Sequence, residues 1–547
     1  MSAAMDDALL LQQVASRLAA MKEELLNSTR DLNQNENAFF LCSMALLIFL
    51  MQTGFAFLEA GAVRGKNCTN ILAKNLLDSL ITIIGYWSIG WAFAYGANPI
   101  SWLSPFVGLS EFAGVGLVDH SRFFFQYVFA ARASTIISGA VAERCEFFAF
   151  IVYSIVVSST VYPVLAHWGW SEQGWLKKGI QFDQYTTTYL DTAGSGVVHL
   201  CGGTISLVAA YMMGPRIGRF LIPEKGKKNN IYAKIRGHSV PLASLGGFIL
   251  MAGFLAFNGG SISDISKRGS GQSVAKAMVI TIMCGAFSAI TYLIIHYIRN
   301  GKWTVLLTIN ACLTGKNDIS LCWMQSDKSV GNDLHWRHWS DNLPLIVRID
   351  ASVEILSSII RTHCEAFIFR LKIDDPLDAF AVHAGGGFWG LISVCIFAEN
   401  GGVIYAIFGS YPITEALLQL GWNVISGLAI MEWSATVMIP IFLILKVAGK
   451  FRVPAEVEIK GIDIIKHGES AYPLTAYGHG WDDELDDTAK VLHHMKMAHT
   501  GNFSTPRSPD SMDTLGDGQN SYFTNDGWAV IHHRSGETSK MNNPYKN

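Results

Sequence analysis

The sequence predicts an all-α polytopic membrane protein, and three observations carry that prediction. Half of the 547 residues are hydrophobic, and only 16% are charged. The charged residues collect in short clusters between long apolar segments. Many of these segments reach the ~20 residues that a helix needs to cross a bilayer core of ~30 Å. Inside that core every backbone N–H and C=O has to be bonded within its own segment, which favours helices.

Ten apolar segments are candidate spans within a predicted transmembrane domain over 37–450. They cover 38–60, 76–96, 122–142, 147–168, 192–214, 240–258, 274–298, 303–315, 379–398 and 414–447. Residues 1–36 have neither the basic start nor the apolar stretch of a signal peptide, so we expect a polar N-terminal segment there. After Phe451 the chain becomes rich in His, Asp, Ser and Gly, which predicts a soluble tail over 451–547, disordered beyond about position 485.

Basic residues predict the orientation of the spans. Lys and Arg concentrate at 64–74, 216–236 and 446–452, after the first, fifth and last spans. Since such clusters favour the cytoplasm, we expect the N-terminus outside and the C-terminus inside a plasma membrane. Asn27-Ser-Thr would then face outwards as a glycosylation site and make the chain a glycoprotein. The net charge of -3 indicates topology rather than partners, and no nucleic-acid partner is expected.

One segment does not fit this topology. Basic residues just before 303 and just before 379 both indicate the cytoplasm, so the chain between them should cross the bilayer twice. Only the partial span 303–315 is available for this. Residues 316–370 are polar and contain no apolar run of membrane length, so the sequence leaves this region anomalous.

Two histidines stand in a short motif that occurs twice. GVVHLCGG (196–203) and FAVHAGGG (380–387) share Val-His-x-x-Gly-Gly, and each follows an acid, Asp191 or Asp378. Together with the spans on both sides of a long basic loop, this repeated motif favours inverted structural repeats. Such repeats place a transport site near the bilayer midplane, between the two halves of the chain. A lone histidine in an apolar helix is more often a packing residue. Two in matching contexts favour a pathway, because ionisable groups at membrane depth are costly.

We therefore expect His199 and His383 to face each other near the bilayer centre. The neighbouring glycines allow their helices to approach closely. Desolvation should keep both rings neutral, so that one nitrogen donates and the other accepts a hydrogen bond. Such a lining suits a small polar solute, but it offers too few oxygens to replace the hydration shell of a metal cation.

The acids and aromatic residues each leave two interpretations open. Asp191, and Asp375 or Asp378 in DDPLDAF, can cap helices, or a carboxylate can stabilise an incoming cation through its field. Aromatic faces near an entrance, such as those of FFFQYVF (123–129) and HWGW (167–170), attract an ammonium-like cation by ~0.5–2 kcal/mol. An interfacial aromatic belt explains the same rings equally well.

Enzyme chemistry and cofactors are not expected. The two deep histidines have no third His, Cys or carboxylate partner at metal spacing, which argues against a metal centre. Nine cysteines, an odd number, lie mostly in or beside apolar segments, so we interpret them as small buried hydrophobes rather than a disulfide framework.

Seven motifs, in order along nearly all the spans, make the chain resemble the ammonium transporter family (Amt/Mep/Rh), and its Amt branch in particular. They are FAFLEAGAVRGKNCTNILAKN (55–75), FFFQYVFAARASTIISGAVAER (123–144), YPVLAHWGWSEQGW (162–175), DTAGSGVVH (191–199), FNGGS (257–261), DDPLDAFAVHAGGGFWG (374–390) and GIDIIKHGESAY (461–472).

The resemblance implies a homotrimer of eleven-helix protomers, with inverted repeats in helices 1–5 and 6–10 and one pore in each protomer. It implies an outer cation site at Trp170 and Ser261 with Phe125 beside them, a gate of Phe129 and Phe257, a recruiting acid at Asp191, and pore histidines at His199 and His383. Phe254 stands where the family usually has Trp.

The implied substrate is ammonium, with methylammonium as an analogue. The ion would be recruited, stripped of water and deprotonated, and ammonia would cross with or without the proton. The KHGESAY motif implies a tail that contacts the neighbouring subunit and couples the pores, so deletion after Pro454 should abolish or sharply lower uptake. An ammonium sensor with little flux is the alternative function.

The resemblance also gives an interpretation of the anomalous segment. The family has a ninth helix, introduced by a motif similar to GMISLCAGCN, where 316–370 shows none. The run NDISLCWMQ (317–325), back-translated and read one nucleotide later, can encode Met-Ile-Ser-Leu-Cys-Ala-Gly-Cys. Because Trp and Met have single codons, the shifted Gly-Cys is forced. We interpret the segment as a frameshifted reading in which the ninth helix is disrupted.

Overall fold

A computed structural model describes residues 2–220, 235–318, 335–398, 401–409 and 411–473. They fall within one compact unit, Met1–Gly478. A second unit, His479–Asn547, lies outside the described residues, and so does the predicted disorder beyond position 485.

The first half of the chain folds into helices and one small hairpin. The helices are α1 (Ser2–Ala62), α2 (Cys68–Gly85), α3 (Trp91–Tyr95), α4 (His120–Ala140), α5 (Phe147–Val156), α6 (Tyr162–Trp170), α7 (Trp175–Lys178) and α8 (Cys201–Met213). A single π-helical turn joins α2 to α3 (Tyr86–Gly90), and another joins α5 to α6 (Val157–Val161). A third begins α8 (Ser195–Leu200). Strands β1 (Ile180–Phe182) and β2 (Tyr185–Thr187) pair antiparallel.

The second half contains helices joined by loops, and no strand among its described residues. Its helices are α9 (Val240–Gly260), α10 (Ser270–Asn300), α11 (Leu306–Asp318), α12 (His335–Arg370), α13 (Gly386–Phe397), α14 (Val403–Ile407), α15 (Ile413–Val447) and α16 (Ala455–Lys460). A π-helical turn, Phe380–Gly385, begins α13, and another, Asp463–His467, follows α16.

Eight helical segments of the described residues are long and apolar enough to cross a membrane. They confirm the polytopic all-α fold and fall close to the candidate spans. The eight are Leu10–Ala62, Gly65–Tyr95, Phe147–Lys178, Ser195–Met213, Val240–Gly260, Ser270–Asn300, Phe380–Phe397 and Ile413–Val447.

Three further candidate regions are helical without meeting that criterion. Helix α4 takes the place of the span 122–142, and α11 the place of 303–315. Helix α12 occupies much of the anomalous segment. The exact number of eleven crossings and the disruption of the ninth helix stay predictions.

The N-terminal segment differs most from the expectation. Helix α1 begins at Ser2 and continues without a break to Ala62, so residues 2–36 extend the first span rather than form a separate polar segment. Residues 10–36 are all exposed.

Glycines bring α1 and α9 into direct backbone contact. A Cβ added at Gly61 would lie 2.4 Å from the backbone nitrogen of Ala243, and one at Gly246 would lie 2.2 Å from that of Leu58. Membrane helices associate through such small residues because lipid gives no hydrophobic drive for packing.

A buried ion-pair cluster ties the loops together at the end of the bundle where the basic loops lie. The guanidinium of Arg216 contacts Glu143 at 2.8 Å and Asp374 at 2.7 Å, and Arg64 contacts Glu143 at 3.0 Å. Burial opposes ionisation of both acids, but the arginines outweigh it and hold the pKa of Glu143 and of Asp374 below its ordinary value. We call this end of the bundle the basic end.

Candidate functional site

The structure brings the two motif histidines together. The Nδ1 atoms of His199 and His383 are 3.0 Å apart, and the rings are nearly parallel, 5.2 Å between centroids. A hydrogen bond between two Nδ1 atoms needs one ring as donor and the other as acceptor, which two neutral imidazoles of opposite tautomer provide. The Nε2 atom of His199 is buried and has no partner among the described residues. It is free to bond a solute.

Glycines of the two motifs make this approach possible. Both histidines stand in the π-helical turns that begin α8 and α13. A Cβ at Gly203 would lie 2.3 Å from the backbone nitrogen of Ala384, and one at Gly387 would lie 2.3 Å from the carbonyl oxygen of Ser195. Neither contact leaves room for a methyl group, so the paired Gly-Gly motifs have a direct packing reason.

On one side of the histidines, a cleft of about 520 Å³ opens at the end of the bundle opposite the basic end. Five of the predicted site residues line this cleft, namely Phe125, Phe129, Trp170, Asp191 and Ser261. The indole of Trp170 donates to the backbone oxygen of Asp191 at 2.6 Å, and the hydroxyl of Ser261 donates to the carbonyl of Phe257 at 2.7 Å. These bonds fix where the aromatic face and the hydroxyl stand.

Two stacked rings lie between the cleft and the histidines. Phe129 and Phe257 are 4.2 Å apart between centroids, and both are buried. Phe125 packs on Phe129 at 4.9 Å, and Trp170 meets the edge of Phe129 at 5.8 Å. On its inner side Phe257 lies 5.7 Å from the His199 ring. The aromatic pair therefore separates the cleft from the histidine pair.

A small cavity of about 30 Å³ lies on the other side of His383. Phe254, Leu313 and Val382 are among the apolar residues that line it. Phe254 also stacks against His199 at 5.8 Å between centroids. Phe254, which stands where the resemblance would place Trp, therefore lies next to both histidines. The cavity is large enough for about one small molecule.

Asp191 acts as a helix cap at the rim of the cleft. Its carboxylate accepts the backbone N–H groups of Gly194, Ser195, Gly196 and Val197 at 2.7 to 3.0 Å, and the hydroxyl of Tyr189 at 2.9 Å. It thereby holds the turn that carries His199. These contacts are those of a helix cap. The carboxylate also lines the cleft.

The second acid has a different position from the one predicted. The carboxylate of Asp378 pairs with Arg361 at 3.0 Å, whereas Asp375 accepts the N–H of Phe380 at 2.8 Å. The side chain of Asp378 therefore does not cap the helix as predicted. Asp375, the other acid of DDPLDAF, takes that role. Arg361 binds Asp378 because both are almost removed from water there.

Two further groups at the site had no direct signal in the sequence. Tyr189 supplies the fifth donor to Asp191, and Gln126 lines the cleft beside Phe125. Tyr189 lies two residues before Asp191, but such a pair is common in any loop, so spacing alone could not have selected it.

The start of the tail docks on the basic end of its own chain. The carboxylate of Asp463 accepts the N–H groups of Thr69 and Asn70 at 3.0 and 2.8 Å, at the N-terminus of α2. Lys466 pairs with Glu146 at 2.8 Å, and Ile462 donates to Asn67 at 3.0 Å. These contacts lie within one subunit. The predicted contact with a neighbouring subunit stays a prediction.

Comparison with known proteins adds three findings. The model of the Ammonium Transporter Family matches residues 38–320 and 355–472. A putative ammonium transporter 1 from Caenorhabditis elegans is 55% identical over 458 residues, which is 82% of this chain and 81% of the relative. A solved structure titled Sensor Amt Protein is 30% identical, with a TM-score of 0.66 over 80% of this chain and 100% of its own.

A further structure, Mep2 from Saccharomyces cerevisiae, shares the fold at 23% identity, with a TM-score of 0.62 over 77% of this chain and 88% of its own. The family match leaves out residues 321–354. This gap lies inside the anomalous segment 316–370, and the family match covers both ends of that segment.

Proposed function

Because this chain belongs to the ammonium transporter family, we propose that it carries ammonium across the membrane as ammonia, with or without the proton, along the path lined by His199 and His383. The observation that carries the proposal is the imidazole pair, buried between the aromatic gate and the small cavity beside His383.

The outer cleft suits recruitment of a cation that can donate hydrogen bonds. Trp170 and Phe125 present aromatic faces, and Ser261 presents a hydroxyl oxygen. Cation–π attraction of ~0.5–2 kcal/mol helps to offset the loss of water from a small ammonium ion. The field of Asp191 adds to this attraction without direct contact, since its oxygens are already bonded to the protein.

Beyond the gate a charged solute loses most of its hydration. Between Phe257 and His383 the cited contacts are between aromatic and imidazole rings, and the carboxylate of Glu59 in the adjoining cavity is already bonded to Asn75 and Ser138, so a bare cation is poorly supported there. Ammonium can leave its proton behind and enter as neutral ammonia, which donates to and accepts from imidazole nitrogens. Potassium has no proton to release and cannot donate a hydrogen bond, so the same path excludes it.

The assembly and orientation follow from the same proposal. The chain is an integral membrane protein, and we propose a homotrimer in the plasma membrane with the cleft outside and the basic end in the cytoplasm. No step of the proposed transport makes or breaks a covalent bond other than N–H, so the chain acts as a transporter rather than an enzyme.

Flux through the purified chain tests the function. We expect liposomes that contain it to take up labelled methylammonium faster than empty liposomes, and to take up labelled rubidium, a potassium analogue, no faster. Uptake of both ions at similar rates would contradict the selectivity argument.

A sensor that binds ammonium with little flux is the second candidate. A solved structure titled Sensor Amt Protein is 30% identical to this chain. The same liposomes decide between the two candidates, because a sensor binds methylammonium but does not accumulate it.

Replacement of Trp170 by Ala should weaken recruitment while leaving the inner path intact. Loss of one aromatic face costs ~0.5–2 kcal/mol, so we expect KM for methylammonium to rise roughly 2- to 30-fold with the maximal rate little changed. Trp102→Ala is the matched control, because Trp102 is 75% exposed and does not line the cleft. An unchanged KM in Trp170→Ala would argue against Trp170 as a binding residue.

A further inference from the structure

The N-terminal part of α1 is a long helix with no partner among the described residues. Residues 10–36 are exposed without exception, and the helix begins at Ser2. At 1.5 Å per residue this extension projects on the order of 50 Å beyond Asn37. Asn37 itself donates to Asp264 at 2.8 Å and lines the cleft, so the extension leaves the bundle at the cleft end. A single helix of this kind is marginal in water unless an apolar face is packed.

Such a face is present, and its spacing is that of a coiled coil. Leucines recur at every seventh position, Leu11, Leu18, Leu25 and Leu32, with exposures of 70, 68, 67 and 59%. Val14 and Met21 follow the first two leucines by three positions. We call these six residues the leucine stripe. From Leu11 to Leu25 the intervals alternate between three and four residues, and between Leu25 and Leu32 the intermediate position is Ser28. Such an alternation is the period that keeps a seam facing a neighbouring helix over many turns.

The charged side chains lie off this stripe. They are Arg17, Lys22, Glu23, Glu24, Arg30, Asp31 and Glu36, all exposed. Leu at the a position of the seam with a β-branched residue at d, three residues later, favours three or four strands over two, whereas the reverse order favours two. Leu11 and Val14 form such a pair.

The stripe continues along α1 into the membrane. Phe39 and Leu46 extend the seven-residue interval, and they are 77% and 64% exposed. No proline or glycine occurs in α1 before Gly54, so the sequence has none of the usual causes of a sharp kink. A helix that continues a membrane span without a kink does not turn to lie on the bilayer surface. A neighbouring chain packed on this exposed face in the membrane would therefore also be placed to cover the stripe.

We propose that the leucine stripes of identical chains pack together as a parallel coiled coil that caps the assembly on the cleft side. All copies of a membrane chain insert in the same direction, so their α1 extensions are parallel and begin at the same depth. This fixes the register without further contacts. The proposal rests on the homotrimer proposed above, and three strands are then expected.

Cysteine cross-linking in the full chain tests this arrangement. In a Cys42→Ser background, Leu18→Cys and Met21→Cys place thiols on the stripe, whereas Glu23→Cys and Arg30→Cys place them on the opposite face. We expect mild oxidation of native membranes to give a disulfide-linked dimer on non-reducing gels for the two stripe variants only. Some chain should stay monomeric, because three thiols form one disulfide. Equal cross-linking on both faces, or none on the stripe, would overturn the coiled coil.

A second measurement separates this proposal from the proposed trimer and function. We expect Leu18→Asp with Leu25→Asp to lower the temperature at which the detergent-solubilised oligomer dissociates, and to leave methylammonium flux per chain unchanged. Glu23→Asp with Arg30→Lys is the matched control. If the mass of the solubilised protein is trimeric but the stripe thiols stay unlinked, the coiled coil is wrong and the trimer stands. A monomeric mass would overturn the trimer, and absence of flux would overturn the function alone.

Discussion

Uptake of methylammonium is expected to be lost when His199 and His383 are both replaced by Ala. The two rings are buried between the aromatic gate and the inner cavity, and their Nδ1 atoms are 3.0 Å apart. Removal of both leaves a passing ammonia with no hydrogen-bond partner between the gate and the inner cavity. A lost bond of this kind costs about 1 to 3 kcal/mol, which is a fall of roughly 5- to 160-fold in the rate, so the loss of both partners should bring uptake close to background.

Single replacements and one control sharpen this test. His199→Ala leaves His383 without its ring partner, and His383→Ala leaves His199 with both nitrogens unpaired, so each should also lower uptake. His363→Ala should not, because His363 is exposed and bonds only to a carbonyl of its own helix among the described contacts. Labelled uptake at equal surface amount measures all four variants. If the double variant transports like the unchanged chain, the imidazole pair is not the path.

Deletion of all residues after Pro454 should lower uptake as strongly. It removes Asp463, whose carboxylate caps two N–H groups at the start of α2, and Lys466, which pairs with Glu146. It also removes Glu458, which binds Arg452 at 2.8 Å and accepts the N–H of Ile217. Loops at the basic end then lose the buried partners that order them. We expect methylammonium uptake to fall at least roughly 10-fold at equal surface amount.

A smaller deletion provides the matched control. Ending the chain after Gly478 keeps every tail contact described here and removes the second unit, so uptake should stay close to that of the full chain. The point variant Asp463→Asn keeps the shape of the side chain and weakens the cap. Its uptake should lie between those of the two truncated chains. Normal flux after deletion of all residues beyond Pro454 would show that the docked tail is dispensable.

The sequence predicted the spans and the histidine pair because both depend on local signals. Apolar runs of membrane length report burial in lipid directly. The Val-His-x-x-Gly-Gly echo combined a polar group with the small residues that let it approach its partner, and Gly203 and Gly387 fill those positions in the structure. The role of the pair in transport stays a prediction.

What the sequence missed depends on contacts between distant residues. The choice between Asp375 and Asp378 as a cap depended on Arg361, which lies in the segment that no motif covered. The tail contacts of Asp463 join residues almost 400 positions apart. Residues 1–36 were different, because the seven-residue leucine interval was present in the sequence but was hidden by the polar composition around it.

The cap at Asp191 has a consequence for how fast the protein can work. A carboxylate has about four lone-pair sites, and five protein donors already occupy those of Asp191. An arriving ion therefore never has to displace a protein group from it, and no such group has to return after the ion has gone. On the proposed path, the entrance would then accept the next ion without a rearrangement of this cap.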